Sequence, residues 1–379
     1  MDEVSIESSD VKDEIIPTMV IEKEHKLGFF EKFLALWVVL CMGIGILLSR
    51  YLPIIGDTLS GWTIYNINIP IGICLFFMMY TALLNLQLSE LKKLGKNPLP
   101  IILALVSNWI IAPLVAAGLG YLILRNLLNA DQLIVAVILL GSSPCTAMVL
   151  VWGSLSKGNQ EQNVINTTIN TITIIFLYVP IVSLLTGIQN IAIDRLWLFI
   201  TVSLFIGIPL ILGFVSKKLL VKAKDQEWFD NKYRPVVGKI SMVALLLTLI
   251  VLFAINGQVL IDNPLELLWI SIPLLVGFVI VVGYNILTTK LLKLRYREAI
   301  ITTIIGSSSH FEIAIATAIG MYGVGSMAAL GTTMGLFWEV PIMLGLIYLG
   351  RFLNKKNFWK GKKKKEEEIE EQAPTTETL

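Results

Sequence analysis

The sequence predicts an all-α polytopic membrane protein. Ten transmembrane helices are expected, arranged as two inverted five-helix repeats, with the fourth and ninth helices interrupted. Three observations predict this: composition, the placement of basic residues, and a repeat hidden in the chain. Hydrophobic residues make up 55% of the 379 and charged residues 15%, against about 25% charged in a soluble domain. The mean hydropathy is +0.75. A soluble body of this size has too little interior to keep that much apolar surface from water. The net charge of +2 is uninformative; where the charges fall is not.

A helix crosses the hydrocarbon with about 20 residues. Apolar runs of that order lie at 30–50, 66–86, 100–124, 132–154, 164–188, 196–216, 238–258, 266–288, 299–320 and 327–349. Backbone polar groups in lipid must be satisfied within the segment, so these runs are helices. With both termini in the cytosol, the cytosolic loops hold fifteen Lys and Arg, Lys157 and the clusters at 92–96, 217–239 and 290–297, while the outer loops hold only Arg50, Arg125 and Arg195. That asymmetry satisfies the positive-inside rule. Residues 1–27 carry no signal-peptide pattern and read as a solvated cytosolic tail. Residues 353–379, basic then acidic, read as a second tail whose lysines lie near anionic headgroups. The packed body then divides at 28–190 and 191–352.

The two halves resemble each other. "LGSSPCTAMV" (140–149) matches "IGSSSHFEIA" (305–314), "KNPLP" (96–100) matches "DNPLE" (262–266), "LGYLIL" (119–124) matches "VGYNIL" (282–287) and "LLNLQ" (83–87) matches "AINGQ" (254–258). The order is kept, at offsets of 165, 166, 163 and 171 residues. Five spans per copy is odd, so the second copy enters the membrane upside down. Inverted repeats are characteristic of secondary transporters, which bind solute near the midplane at interrupted helices. The Gly-Ser-Ser elements at 141–143 and 306–308 interrupt the fourth and ninth spans. Each is half of the expected site.

Glu312 and Glu339 lie well inside spans, with no buried Lys or Arg in the sequence to pair with them. A charged, unpaired carboxylate costs several kcal/mol there. The cheaper states are protonated or facing a water-filled cavity, and either residue could load and release a proton. Glu312, beside the break, is expected to couple or to touch substrate; Glu339 reads equally as a site residue or a structural hydrogen-bond partner. Cys145, with Ser142, Ser143 and Thr146 around it, would suit a soft, thiol-seeking species held weakly enough to leave; the alternative is a small residue in a tight helix contact. Cys41 and Cys74 have apolar neighbours and read as packing. Asn108, Asn166, Asn170, Gln87 and Gln258 fit interhelical hydrogen bonds, though Asn166 and Asn170, one turn apart, could line a cavity. His310 adjoins Glu312 but would not share its face in a continuous helix; it reads as a proton relay or as a hydrogen-bonded helix residue. No CxxC or Cys/His metal spacing is present, and nothing calls for a cofactor or a nucleic-acid partner.

"PCTAMVLVW" (144–152), "FEIAIA" (311–316) and "WEVPIML" (338–344), with "FFMMY" (76–80) and "NWIIAP" (108–113), resemble the arsenical-resistance efflux permeases of the bile acid/arsenite/riboflavin transporter superfamily. The resemblance spans about residues 30–350. It implies that the broken fourth and ninth helices cross near the midplane, that Cys145 is the functional thiol and Glu312 the functional glutamate, and that the chain exports trivalent arsenite, sometimes antimonite, in exchange for protons across the cytoplasmic membrane. Neutral As(OH)3 suits a site with one soft ligand, hydroxyls and no fixed positive charge. Three positions depart from the family pattern: Thr81 replaces a proline, Asn170-Thr171 replaces Asn-Asp, and Ser309-His310 stands where an asparagine is usual. The rival expectations are a sodium-coupled organic-anion symporter of the same superfamily and, from another class, a membrane-embedded enzyme or receptor. Against the latter, there is no HExxH or GxSxG motif and the loops are too short to fold a sensory domain.

Overall fold

The computed structural model describes residues 33–64, 67–84, 97–127, 130–146, 148–262 and 264–359. The tail at 1–27, the basic cluster at 92–96, Gln87 and the end of the chain beyond 359 lie outside them, as does the side chain of Gln258. The described chain is almost entirely helical. α1 (Leu34–Tyr51) bends by 101° into α2 (Pro53–Gly61). A two-residue hairpin, β1 (Thr63–Ile64) with β2 (Ile67–Asn68), leads to α3 (Ile69–Leu84). Then follow α4 (Pro98–Leu124), α5 (Ala130–Gly141), α6 (Met148–Leu155), α7 (Gln160–Ile188), α8 (Arg195–Ala223), α9 (Arg234–Asp262), α10 (Pro264–Leu291), α11 (Tyr296–Ser307), α12 (Phe311–Tyr322) and α13 (Met327–Lys355).

Among the described residues, six helices are long and apolar enough to cross a membrane by themselves: α4, α7, α8, α9 with the turn preceding it, α10 and α13. The other apolar runs coincide with helices that are bent (α1–α2), short (α3) or split in two (α5–α6 and α11–α12). The protein is therefore a polytopic membrane protein. α13 runs on to Lys355, and Trp359 is buried, its indole N–H donating to Thr289 Oγ1 at 3.1 Å. Packing thus continues past residue 352, where the hydropathy falls.

Proline shapes the long helices. Wide π turns at Ser107–Ile111, Ser203–Gly207 and Phe229–Tyr233 stand two residues before Pro113, Pro209 and Pro235. The proline ring clashes with the carbonyl four residues back, and an i→i+5 turn relieves the clash while keeping the helix intact.

The helices form two groups. α1, α3, α8 and α9 pack on one another; α4–α7 and α10–α13 form the second group. Close approach sets the first: a Cβ added to Gly45 of α1 would lie 2.8 Å from the Ile250 carbonyl of α9, so only glycine lets these backbones meet. The groups touch where α8 packs on α7 and α12, α3 on α12, and α1 on α13. α4 lies on the far side of the second group, packed against α10.

Candidate functional site

The interruptions fall where the two Gly-Ser-Ser elements sit. α5 ends at Gly141 and α6 starts at Met148; α11 ends at Ser307 and α12 starts at Phe311. Pro144 has no N–H to continue a helix, and the freed backbone groups need partners at membrane depth. The two unwound segments supply them to each other. The Cys145 N–H donates to the Ser308 carbonyl at 3.4 Å and the His310 N–H to the Ser143 carbonyl at 2.6 Å, an antiparallel bridge centred on Pro144 and Ser309. Those two residues are 165 positions apart, the offset at which the Gly-Ser-Ser elements align.

Neighbouring helices brace the crossing. Ser107 of α4 donates to the Gly306 carbonyl at 2.7 Å, and Asn285 of α10 donates to Ser107 Oγ at 2.8 Å and to Ser307 Oγ at 3.2 Å. Asn170 of α7 donates to the Cys145 carbonyl at 3.4 Å and accepts from Asn108 at 3.2 Å. On the other strand, Glu339 of α13 accepts from the Ser309 N–H at 3.1 Å and from Ser309 Oγ at 2.6 Å.

The residues singled out by sequence are therefore brought together. Cys145, Ser142, Ser143 and Thr146 are buried in the first unwound segment; His310 ends the second, and Glu312 opens α12. Glu312 is 9% exposed. Asn166, one turn before Asn170 on α7, is fully buried, and neither end of its amide has a protein partner. The hydroxyl of Ser142 likewise has none. Such groups cost about 1–3 kcal/mol each when left unsatisfied, which makes them candidate contacts for a polar partner. Ser143 differs: its hydroxyl donates to the Leu140 carbonyl at 3.0 Å.

His310 corrects one expectation. It was placed off the face of Glu312 on the assumption of a continuous helix. The break puts His310 ahead of the first turn of α12, and its Nδ1 lies 2.8 Å from Glu312 Oε2. Ser107 and Asn285 were missed as braces, although Asn285 lies in the quoted element "VGYNIL". Also missed was Glu298, near the start of α11, which is buried, paired with Arg295 and bonded by Asn97 at 3.0 Å. Among the described residues no three His, Cys, Asp or Glu converge to hold a metal ion.

A cavity of about 590 Å³, counted to its open mouth, lies against the crossing. Ser143, Pro144 and Ser307–Ser309 line it, but Cys145, His310, Glu312 and Asn166 do not.

The model of the sodium bile acid symporter family matches residues 72–263. The chain is similar to a protein named as an uncharacterized transporter in Synechocystis sp., at 40% identity over 88% of this chain and 90% of that protein. It is similar to the arsenical-resistance protein Acr3 of Alkaliphilus metalliredigens at 35% identity, over 90% of this chain and 96% of the relative. The arsenical-resistance protein Acr3 of Corynebacterium glutamicum is 27% identical over 90% of this chain and 94% of its own length.

Proposed function

The chain belongs to the sodium bile acid symporter family, and within it to the arsenical-resistance permeases, and from that premise we propose that it is a secondary transporter, not an enzyme, that carries trivalent arsenite, and its congener antimonite, out of the cytosol. One observation supports this reading: two unwound segments exchange main-chain hydrogen bonds, and Cys145 and Glu312 lie within three residues of the bridged pair Pro144 and Ser309.

Neutral As(OH)3 enters from the cytosol. The Cys145 thiol and one As–OH condense, forming S–As and releasing water; hydrolysis reverses the step. One thiol holds the metalloid reversibly. Ser142, Ser143 and Thr146, with the amides of Asn166 and Asn170, meet the remaining hydroxyls. Glu312, with His310 against it and Glu339 on the same crossing, takes the proton that exchanges for arsenite. A membrane potential of 100 mV supplies roughly 2.3 kcal/mol per charge moved.

The architecture proposed for this cycle has ten spans in two inverted repeats, 28–190 and 191–352, in the cytoplasmic membrane with both termini cytosolic. The matching breaks, the 165-residue offset of the bridged pair and the basic loops support it. One helix group rocking on the other alternates access to the crossing.

The test is arsenite uptake by everted vesicles. Cys145→Ala and Glu312→Gln should each abolish it, and wild-type uptake in both would sink the reading. A second reading, sodium-coupled symport of an organic anion, is favoured by the family's name and by the unpartnered oxygens of Asn166 and Ser142, hard donors suited to a small cation. Uptake that requires sodium and ignores arsenite would select it.

A further inference from the structure

The cavity against the crossing is lined by none of Cys145, Glu312, His310 and Asn166, and shares only Ser143 with the transport reading above. Its walls are mostly apolar, with Ala112 and Val115 of α4, Val137 of α5, and Gly277, Phe278 and Val281 of α10; the exception is Asn108 of α4, whose amide N–H donates to Asn170. Its floor is the crossing, with Pro144 and Ser308. It lies on the α4–α10 side, away from the face where α1, α3 and α8 pack on the second helix group. The residues just outward of its walls face the surroundings: Leu114 is 55% exposed, Val276 39% and Val279 72%. In a polytopic membrane protein that surface faces lipid, so the cavity sits behind a lipid-facing wall.

Its chemistry selects an occupant. No Lys, Arg, Asp or Glu lines it, so a charged ligand would go unpaired at membrane depth. Walls of this kind offer water few partners, and a cavity lined mostly by apolar groups takes apolar molecules. One polar feature is left over. Ser308 is 6% exposed and its hydroxyl has no partner in the protein. The other hydroxyls of the floor are engaged: Ser143 with Leu140, Ser307 with Asn285, and Ser309 with Glu339. Arsenite, with three hydroxyls and no apolar body, is the wrong guest.

We propose that this cavity is a lateral binding site for a small uncharged amphiphile dissolved in the bilayer, an aromatic or short alkyl body bearing one hydroxyl that bonds Ser308. The site is separate from Cys145 and Glu312 and is entered between α4 and α10.

The full chain in lipid nanodiscs would be photolabelled with a diazirine-bearing alkylphenol and the labelled peptides mapped by mass spectrometry. Labelling should saturate, map to 108–116 and 273–281, and be competed by unlabelled 4-propylphenol. Gly277→Leu is the blocking variant. A Cβ there would meet only Leu119 and Val115, at 3.7 and 3.8 Å, so the backbone tolerates it while the side chain fills the cavity. It should remove the saturable labelling, and Val115→Trp, the second blocking variant, should do the same. Ser308→Ala should weaken competition by about fivefold, the worth of one hydrogen bond. Labelling that never saturates and spreads over Leu114, Val276 and Val279 would overturn the proposal, as would labelling untouched in both blocking variants. Saturable labelling of the same peptides by an acyl-chain diazirine phospholipid, with no competition by the phenol, would assign the cavity to lipid instead. None of these readouts involves arsenite, so their failure is distinct from failure of the transport reading.

Discussion

The two unwound segments share a backbone solution and divide the chemistry between them. Each follows a Gly-Ser-Ser element, each leaves helix at mid-span, and each satisfies the other's main chain. The first carries a thiol and neutral hydroxyls and is held by an amide, Asn170. The second carries an imidazole beside Glu312 and is held by a carboxylate, Glu339. Cys145 and His310 occupy matching positions, 165 residues apart. On the proposed reading, one backbone geometry is built twice, with one segment left to bind a soft solute and the other to exchange protons. The teaching is testable by disabling one segment at a time.

The largest effect should come from the first segment. Cys145→Ala should bring arsenite uptake in everted vesicles to the level of vesicles without the protein, with an unchanged size-exclusion profile in detergent. Retained uptake would mean that the thiol is packing. Glu312→Gln should come next: arsenite should still protect Cys145 from alkylation by N-ethylmaleimide, but an imposed proton gradient should no longer drive uptake. Loss of protection as well would merge the two roles that the comparison separates.

Two substitutions test the scaffold instead. Glu339→Ala leaves the Ser309 N–H and hydroxyl without their acceptor, at about 1–3 kcal/mol per buried group. A clear fall in thermal unfolding temperature is expected in detergent, larger than that of Asn170→Ala, which loses the longer contacts to the Cys145 carbonyl at 3.4 Å and from Asn108 at 3.2 Å. Gly306→Ala is comparable to the smaller of these. Its Cβ would sit 2.7 Å from Asn285 Oδ1 and 2.9 Å from Ser107 Cβ, and overpacking of this kind costs about 1–3 kcal/mol. An unchanged unfolding temperature would mean that the brace around Gly306 gives way without cost.

Much of this was legible in the sequence, for identifiable reasons. Apolar runs mark spans because lipid leaves backbone groups no other partner, and Gly-Ser-Ser inside such a run marks a break. Cys145 and Glu312 stood out because polar groups are scarce at that depth. What periodicity cannot supply is which backbone meets which. The bridge between Pro144 and Ser309 depends on two segments far apart in sequence. The contact of His310 with Glu312 was hidden because a helical wheel assumes the helix that the break removes. The prolines at 113, 209 and 235 were visible, but not that wide turns would precede them. The walls of the cavity behind the crossing include alanine, glycine and valine positions that look like ordinary packing.

The smallest expected effect is the most informative about the second segment. Asparagine, usual in the resembled family at the position of His310, can donate or accept a hydrogen bond at nearly the same place. His310→Asn should therefore keep a bond to Glu312 and change the maximal uptake rate by only about twofold. What it removes is a ring that can take a proton on one nitrogen and give one up from the other. If the imidazole passes protons to Glu312, the variant's uptake should respond to pH differently from that of the wild type. If the two pH profiles superimpose, His310 only positions Glu312, and the proposed proton path narrows to the two carboxyls. His310→Leu separates the cases further, because it removes the hydrogen bond together with the ring nitrogens and should fall well below both.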